Sequence, residues 1–308
     1  MWQEKIHRIK LPAWVLNLVE KMRRFRADRR TSRILTIISI LYPLGLLYLS
    51  KDELLLLAWK SFVWIFLGCL LVYYVSMSLQ TLVWSLIVDG NLSRFWINAQ
   101  VYFKTILMKR LPGGVWHWIG RSSMYELHFP DEDRKITRSN FTEWLTLILT
   151  GLVGYAATRN LILGIAGFII IVVITTVLLH RGSELKIKSF YTALRTIILY
   201  SVCWLAGGLI LHWLLITVSP SALITYKTSF SVWCLSSAIS MFFFFFPSGS
   251  IIRDFSLSAL LSNQIEPAKV ALVILQVRVI FLIADFLWSF LSIQFIRMMM
   301  SRNVSKAN

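Results

Sequence analysis

Residues 111–121 read LPGGVWHWIGR and residues 246–254 read FPSGSIIRD, and these two stretches decide the architecture. Each interrupts sequence that is otherwise apolar enough to lie in a membrane. Each contains Pro and Gly and has an arginine shortly afterwards. Irregular backbone at membrane depth is tolerated only where it is buried in protein or lines a cavity. Broken helices in the two halves of a hydrophobic chain are typical of a transport site near the bilayer midplane. The two stretches therefore predict a polar site between broken helices.

The composition around these stretches is that of an integral membrane protein. Of the 308 residues 57% are hydrophobic, and apolar runs long enough for a membrane span recur along the chain. A formal net charge of +17 would suggest nucleic-acid binding in a soluble protein. The basic residues here lie between apolar runs, so we expect them to mark the cytoplasmic side and we expect no nucleic-acid partner.

The apolar runs predict an all-α integral membrane protein with about six full transmembrane helices, at residues 34–50, 61–88, 141–158, 161–179, 190–217 and 268–297. The two Pro/Gly stretches are left as re-entrant or broken segments, and their pairing fits inverted repeats. Whether the chain returns or crosses at 101–120 and 229–263 stays open. The polytopic domain then covers residues 34–298, and residues 299–308 form a cytoplasmic tail.

The positive charge orients this arrangement. On the side that holds both termini lie 24 of the 32 Lys and Arg residues. The positive-inside rule places that side in the cytoplasm. The first apolar run begins at Ile34, behind a charged segment, which predicts an uncleaved first span rather than a signal peptide.

Residues 1–33 form a basic cytoplasmic segment with amphipathic character. Its apolar residues follow helical spacing between residues 11 and 25, and basic residues occupy the other face. Such a helix beside a first span lies in the membrane interface against anionic lipid. Docking on a cytosolic partner enzyme is the alternative, and the sequence leaves both open.

The first Pro/Gly stretch predicts an anion site at the start of a helix. Pro112, Gly113 and Gly114 let the chain turn and restart a helix, whose first amide groups lack partners and carry partial positive charge. Such an end binds anions, and Arg121 adds a full positive charge. His117 is interpreted either as a hydrogen-bonding wall residue or as a group that titrates near neutral pH.

The second stretch repeats this logic from what the topology predicts to be the opposite face. Pro247 and Gly249 precede a helix that carries Arg253 and Asp254. Arg253 either meets a substrate or satisfies its own burial by pairing with Asp254 or Asp285. The two helix restarts thus approach one region from both sides.

The last span carries Arg278 and Asp285, seven residues apart and on nearly the same helical face. Ionisable groups inside a span are costly and face the interior of a bundle or a water-filled cavity. We interpret them either as members of ion pairs, with each other or across helices, or as a proton or ion relay. Glu143 is interpreted as a helix-start residue favoured by the dipole.

No set of residues in the chain predicts catalysis. Cys69, Cys203 and Cys234 lie in apolar stretches without metal-ligand spacing, and we interpret them as buried core residues. The acidic residues are scattered rather than convergent, and no Asp-rich metal motif occurs. We therefore expect a protein without cofactor, metal or enzymatic activity.

The two Pro/Gly motifs resemble those of the flippase-like transmembrane family typified by the membrane domain of lysylphosphatidylglycerol synthase. The family has a Pro-Gly element with a downstream Arg in its first half, which resembles residues 111–121, and a Pro-Gly-Gly-x-Gly-x-Arg-Glu element, which resembles residues 247–254. Here Ser248 and Ile251 replace glycines, and Asp254 stands in place of Glu. These departures indicate either a different substrate or a loss of transport. The resemblance covers residues 34–298.

The resemblance implies movement of an anionic phospholipid or a lipid-linked saccharide between leaflets, in support of cell-envelope lipid or polysaccharide assembly. It implies a multi-pass protein of a prokaryotic plasma membrane. The soluble lysyl-transferring half of the family's bifunctional members does not occur in this sequence, so we expect no aminoacyl-lipid synthesis. The alternatives are a non-transporting scaffold for a cytosolic biosynthetic enzyme and an integral-membrane transferase.

Overall fold

The computed structural model describes residues 37, 41–56, 59–110, 116–180, 186–243 and 249–305, and these form helices without any strand. The predicted amphipathic segment at 1–33 lies outside the described residues. The predicted tail begins inside the last helix, which continues to Ser305. The described part of the chain is thus all-α, as the sequence predicts.

The α-helices follow one another with short connections. Residues 41–49 are helical and form α1. The others are α2 Lys51–Leu56, α3 Trp59–Asp89, α4 Phe95–Ile106, α5 Trp116–His128, α6 Asp133–Arg159, α7 Leu161–His180, α8 Lys186–Val218, α9 Tyr226–Phe242, α10 Gly249–Leu261 and α11 Pro267–Ser305. Short 3₁₀ turns at Leu107–Arg110 and Pro130–Glu132 follow α4 and α5.

Four of these helices are long and apolar enough to cross a membrane. Within α3, α7, α8 and α11 the candidate spans are Phe62–Asp89, Leu161–His180, Lys188–Val218 and Pro267–Gln294. A membrane-embedded multi-pass protein is therefore supported, whereas the count of six spans stays a prediction. The first predicted span begins outside the described residues. The third lies in α6, which is long enough but less apolar because threonines and charged residues are spread through it.

Small residues bring the long helices close together. An added Cβ at Gly164 of α7 would lie 2.6 Å from the Cβ of Ala157 on α6. One at Gly207 of α8 would lie 2.0 Å from Nε1 of Trp233 on α9. Close backbone approach through small residues is the usual way in which membrane helices pack, because lipid supplies no hydrophobic force between them.

Helices α4 and α5 form a hairpin, on either side of residues 111–115. Tyr125 Oη donates to Asn98 Oδ1 over 2.7 Å near the base, and Gly120 lies against Thr105 and Met108 near the tip. α5 therefore runs back along α4. The base of the hairpin lies at the beginning of α6.

Helices α9 and α10 form a second hairpin, on either side of residues 244–248. Lys227 and Thr228 at the beginning of α9 and Leu260 at the end of α10 line one cavity. The same cavity is lined by Tyr155 and Arg159 at the end of α6. The two hairpins therefore start from opposite ends of α6, and their tips point toward each other.

Two arginine centres as the candidate functional site

Trp144 of α6 contacts the tips of both hairpins. Its ring centroid lies 6.4 Å from that of Trp118 in an edge-on arrangement, and its Nε1 donates to the carbonyl oxygen of Met241 over 2.9 Å. Trp118 follows the first Pro/Gly stretch closely, and Met241 precedes the second. Trp144 thus connects the beginning of α5 with the end of α9, which follow and precede the two Pro/Gly stretches in the sequence.

The Arg121 centre lies where the first hairpin packs on α3 and α6, and it consists of Arg121, Glu143, Asn140, Trp84 and Tyr102. Arg121 Nη1 forms an ion pair with Glu143 and lies 3.3 Å from Asn140 Oδ1. The guanidinium carbon lies 4.9 Å from the ring centroid of Trp84 and 4.4 Å from that of Tyr102. Only 1% of the Arg121 surface is exposed. One cation thus meets one carboxylate between two aromatic faces, which offset the lost hydration.

The Arg253–Arg278 centre lies where α10 packs on α11, and its three charged members are Arg253, Asp254 and Arg278. Asp254 is fully buried and accepts from Arg278 Nε over 2.5 Å. Its other carboxylate oxygen accepts from Nε and Nη2 of Arg253, each over 3.3 Å. The side chains of Arg253 and Arg278 are 12% and 19% exposed. Here two guanidinium groups share one carboxylate, and the cations are the accessible part.

Aromatic rings hold these two arginines in place. The Arg278 guanidinium lies 5.1 Å from the ring centroid of Tyr42 on α1. The Arg253 guanidinium lies 5.7 Å from the Trp233 ring and 5.6 Å from the Phe281 ring. These cation–π contacts come from three different helices. Both arginine heads are therefore positioned by the surrounding bundle.

Each centre has one buried guanidinium nitrogen without a hydrogen-bond partner among the described residues. These atoms are Arg121 Nε and Arg278 Nη2. Since a guanidinium offers five N–H donors in a rigid fork, one carboxylate satisfies only part of it. The two centres differ in access, because Arg121 is sealed and Arg278 is not.

Asp285 belongs to a neighbouring hydrogen bond rather than to an Arg278 pair. Its Oδ1 accepts from Tyr73 Oη over 2.5 Å, and the Tyr73 ring packs on Phe281. A seven-residue separation on a helix is about 10 Å along the axis, which works against direct pairing. Of the pairings left open, Arg278 forms the cross-helix one with Asp254. The relay interpretation of Arg278 and Asp285 stays a prediction.

The remaining predicted site residues fall into two groups. His117 is buried in the first turn of α5, with its ring 6.1 Å from that of Trp118. Gly249 is the first residue of α10, so a helix does restart after the second interruption. Pro112, Gly113, Gly114 and Pro247 lie outside the described residues.

Sequence reasoning missed the contacts of Glu143 and Trp144. Glu143 is not a helix-start residue, because α6 begins ten residues earlier at Asp133. Asn140, Glu143 and Trp144 have the i, i+3, i+4 spacing of one helical face. That spacing was the available indication in the sequence. Which helices it would meet depends on tertiary packing.

Comparison with protein-family models, with curated proteins and with solved structures gives no match to this chain. The described residues also contain no group of three His, Cys, Asp or Glu side chains that could hold a metal ion. The functional assignment therefore rests on the chemistry of the two centres.

Proposed function

We propose that this chain is a membrane transporter that binds the headgroup of an anionic phospholipid or lipid-linked saccharide at the Arg253–Arg278 centre and moves it between leaflets. The observation that carries the proposal is the sharing of one fully buried carboxylate, Asp254, by two partly accessible arginines. We place the protein in a prokaryotic plasma membrane with both termini in the cytoplasm.

The chemistry of the centre suits a phosphate. Guanidinium groups bind phosphate oxygens through paired N–H donors, and a lipid phosphodiester offers two charged oxygens to such a planar fork. Arg253 also lies about one turn after the first residue of α10, whose N-terminus favours negative charge. Taken alone, the side chains of Arg253, Asp254 and Arg278 carry a formal charge of +1, which an anionic headgroup neutralises.

Asp254 has two roles in this proposal. Without a ligand it offsets the burial of two cations, which would otherwise be strongly unfavourable inside a membrane protein. It also contacts both arginines, so that it holds Arg278 and Arg253 beside each other. An incoming phosphate therefore meets a preorganised pair instead of two mobile side chains.

We propose that the headgroup moves between the leaflets along the two hairpins. We take α4–α5 and α9–α10 to be re-entrant segments that enter from opposite leaflets. The ends of α5 and α9 beside the two Pro/Gly stretches both contact Trp144, and we place this region near the bilayer midplane. Opposed broken helices around a central site are the arrangement that alternating access requires.

A leaflet-exchange assay tests the proposal. The protein is reconstituted in vesicles that contain fluorescent phosphatidylglycerol or phosphatidylcholine, and outer-leaflet label is bleached with dithionite. We expect wild type to expose the anionic lipid faster, and Arg253→Gln and Arg278→Gln to remove the acceleration. Arg94→Gln is the matched control, because Arg94 pairs with Glu132 at the base of the first hairpin.

Unfolding midpoints of all variants are measured in the same detergent, so that loss of fold is separated from loss of transport. Wild-type exchange rates in folded Arg253→Gln and Arg278→Gln would contradict the proposed site. Exchange that is equal with and without protein would contradict transport itself.

A further inference from the structure

A second concentration of positive charge lies at the end of the bundle where the α9–α10 hairpin begins. A cavity of about 350 Å³ opens there between the end of α6, the first turns of α9 and the end of α10. Its volume falls within the range of roughly 300–1,000 Å³ that is usual for small-ligand sites. Its polar lining comes from Thr158, Arg159, Lys227, Thr228, Ser231 and Gln264.

The positive charges of the two basic residues at this cavity are not neutralised by acidic side chains of the described residues. Arg159 and Lys227 form no ion pair within the part of the chain that the structure describes. The Arg159 guanidinium lies 5.4 Å from the Tyr155 ring, which fixes its direction without neutralising it. The lining contains no Asp or Glu. The cavity is therefore a positively charged space with hydroxyl and amide groups around it.

The start of α9 adds to this charge. Thr225 caps the helix by accepting from the backbone N–H of Thr228 over 3.2 Å. Lys227 and Thr228 of the first turn line the cavity, so the positive end of the α9 dipole lies beside it. Full charges, partial charges and hydroxyl donors thus converge on one volume.

The cavity is continuous in sequence and packing with the Arg253–Arg278 centre. Ser231 and Val232 of its lining directly precede Trp233, whose ring contacts the Arg253 guanidinium. Leu260 of its lining lies seven residues after Arg253 on α10, about 10 Å along the helix. The cavity is therefore about two helical turns from the proposed transport centre, along the same hairpin.

We propose that the cavity is a second anion site, which binds a phosphate or phosphodiester group at the membrane surface before or after it occupies the Arg253–Arg278 centre. Arg159 and Lys227 supply the charge, and Ser231 and Gln264 supply neutral hydroxyl and amide donors. The inference deepens the proposed function and rests on it for the transfer step, whereas anion binding in the cavity does not depend on it.

Lipid retention measures the binding. Protein in phosphatidylcholine nanodiscs with added phosphatidylglycerol is analysed by native mass spectrometry. The test variant is Arg159→Gln/Lys227→Gln, and the control is Lys51→Gln/Lys269→Gln, which removes the same charge at the same end of the bundle. We expect retained phosphatidylglycerol to fall about fivefold in the test variant only, since two partly solvated ion contacts are lost.

Added inorganic phosphate identifies the source of the anion. Displacement of phosphatidylglycerol from wild type by phosphate supports recognition of the phosphate group alone. Retention despite phosphate supports recognition of the headgroup together with its lipid body. Equal retention of phosphatidylglycerol in wild type and both double variants would overturn the inference.

Failure of this inference is distinguishable from failure of the proposed function. Arg278→Gln leaves the cavity intact and is measured in the same nanodiscs and in the exchange assay. Wild-type exchange in Arg278→Gln contradicts the transport centre and leaves the cavity result standing. If Arg278→Gln abolishes lipid exchange but Arg159→Gln/Lys227→Gln retains as much phosphatidylglycerol as wild type, only the anion site in the cavity is contradicted.

Discussion

The two arginine centres follow the same kind of Pro/Gly interruption but solve the burial of charge in opposite ways. Arg121 is sealed, with one carboxylate and two aromatic faces around one cation. In the other centre, Arg253 and Arg278 share Asp254 and keep part of their surface accessible. We infer that the first centre fixes a hairpin in place, whereas the second binds a ligand.

The bases of the two hairpins show the same contrast. Arg94 and Lys135 pair with Glu132, and Lys135 also pairs with Asp89, so the base of the first hairpin is closed by ion pairs. Arg159 lies at the base of the second hairpin beside a cavity without acidic residues. Along each hairpin, compensated charge indicates structure and uncompensated charge indicates a site for an anion.

The largest effect is expected on breaking the Arg121 pair. Glu143→Gln leaves a guanidinium buried without its carboxylate, which costs about 3–5 kcal/mol of unfolding free energy. Thermal unfolding in detergent should show a much lower midpoint, while Glu266→Gln, which breaks an exposed pair with Lys269, should change it little. A Glu143→Gln protein with wild-type stability but no lipid exchange would assign Arg121 to the transport site and remove the contrast.

A conservative change of both arginines sharpens the comparison. Arg278→Lys keeps the charge but loses the guanidinium fork, so lipid exchange should fall about tenfold, with a smaller change in stability. Arg121→Lys is the matched change in the sealed centre and should lower the unfolding midpoint more than it slows exchange. For each variant, the loss in lipid-exchange rate is compared with the fall in the unfolding midpoint. Identical behaviour of the two variants would show that the centres have one role.

A smaller effect is expected at the contact between the hairpins. Trp144→Phe removes the hydrogen bond to the Met241 carbonyl, which costs about 1 kcal/mol. Hydrogen exchange should become faster at the end of α9. Trp204→Phe is the control, because it removes a similar bond to the Leu147 carbonyl away from the tips. Equal exchange at the end of α9 in both variants would mean that Trp144 does not hold the tips together.

The smallest effect concerns acid stability at the base of the first hairpin. Burial raises the pKa of Glu132, but hydrogen bonds from Arg94 and Lys135 outweigh burial, so the folded-state pKa lies below the usual value. Ionised Glu132 therefore stabilises the fold above the usual glutamate pKa of about 4.3, and this contribution is lost as the pH falls through the lowered pKa.

The unfolding midpoint of wild type should fall more steeply below about pH 4 than that of Glu132→Gln. Asp52→Asn, at an exposed position, is the control and should retain the wild-type slope. Parallel pH curves for wild type and Glu132→Gln would show that this ion-pair cluster does not close the hairpin.

Much of this arrangement could be predicted from the sequence because it depends on local chemistry. Pro and Gly mark the interruptions, and the following arginines mark the polar centres, since ionisable residues in apolar sequence have to be buried with partners. The pairing of Arg253 with its neighbour Asp254 was one of the predicted alternatives. Apolar runs in the sequence predicted the four spans that the structure supports.

The remaining features depend on contacts between distant segments. Glu143 was interpreted as the beginning of a helix, because the sequence does not reveal that α6 starts before the apolar run. Its pairing with Arg121 and the contact of Trp144 with Met241 join three separate helices. From the sequence, either Asp254 or Asp285 could pair with Arg278. The tertiary packing determines that Asp254 is the partner.

The most direct test of the central claim is the set of lipids that co-purify with the protein in mild detergent, measured by mass spectrometry. Wild type is compared with Arg253→Gln/Asp254→Asn/Arg278→Gln, in which no buried carboxylate is left unpaired, and with Arg94→Gln, which has the same net charge change. The account predicts an anionic or lipid-linked phosphate species enriched on wild type and Arg94→Gln and lost from the triple variant. The same lipids on all three proteins would contradict it.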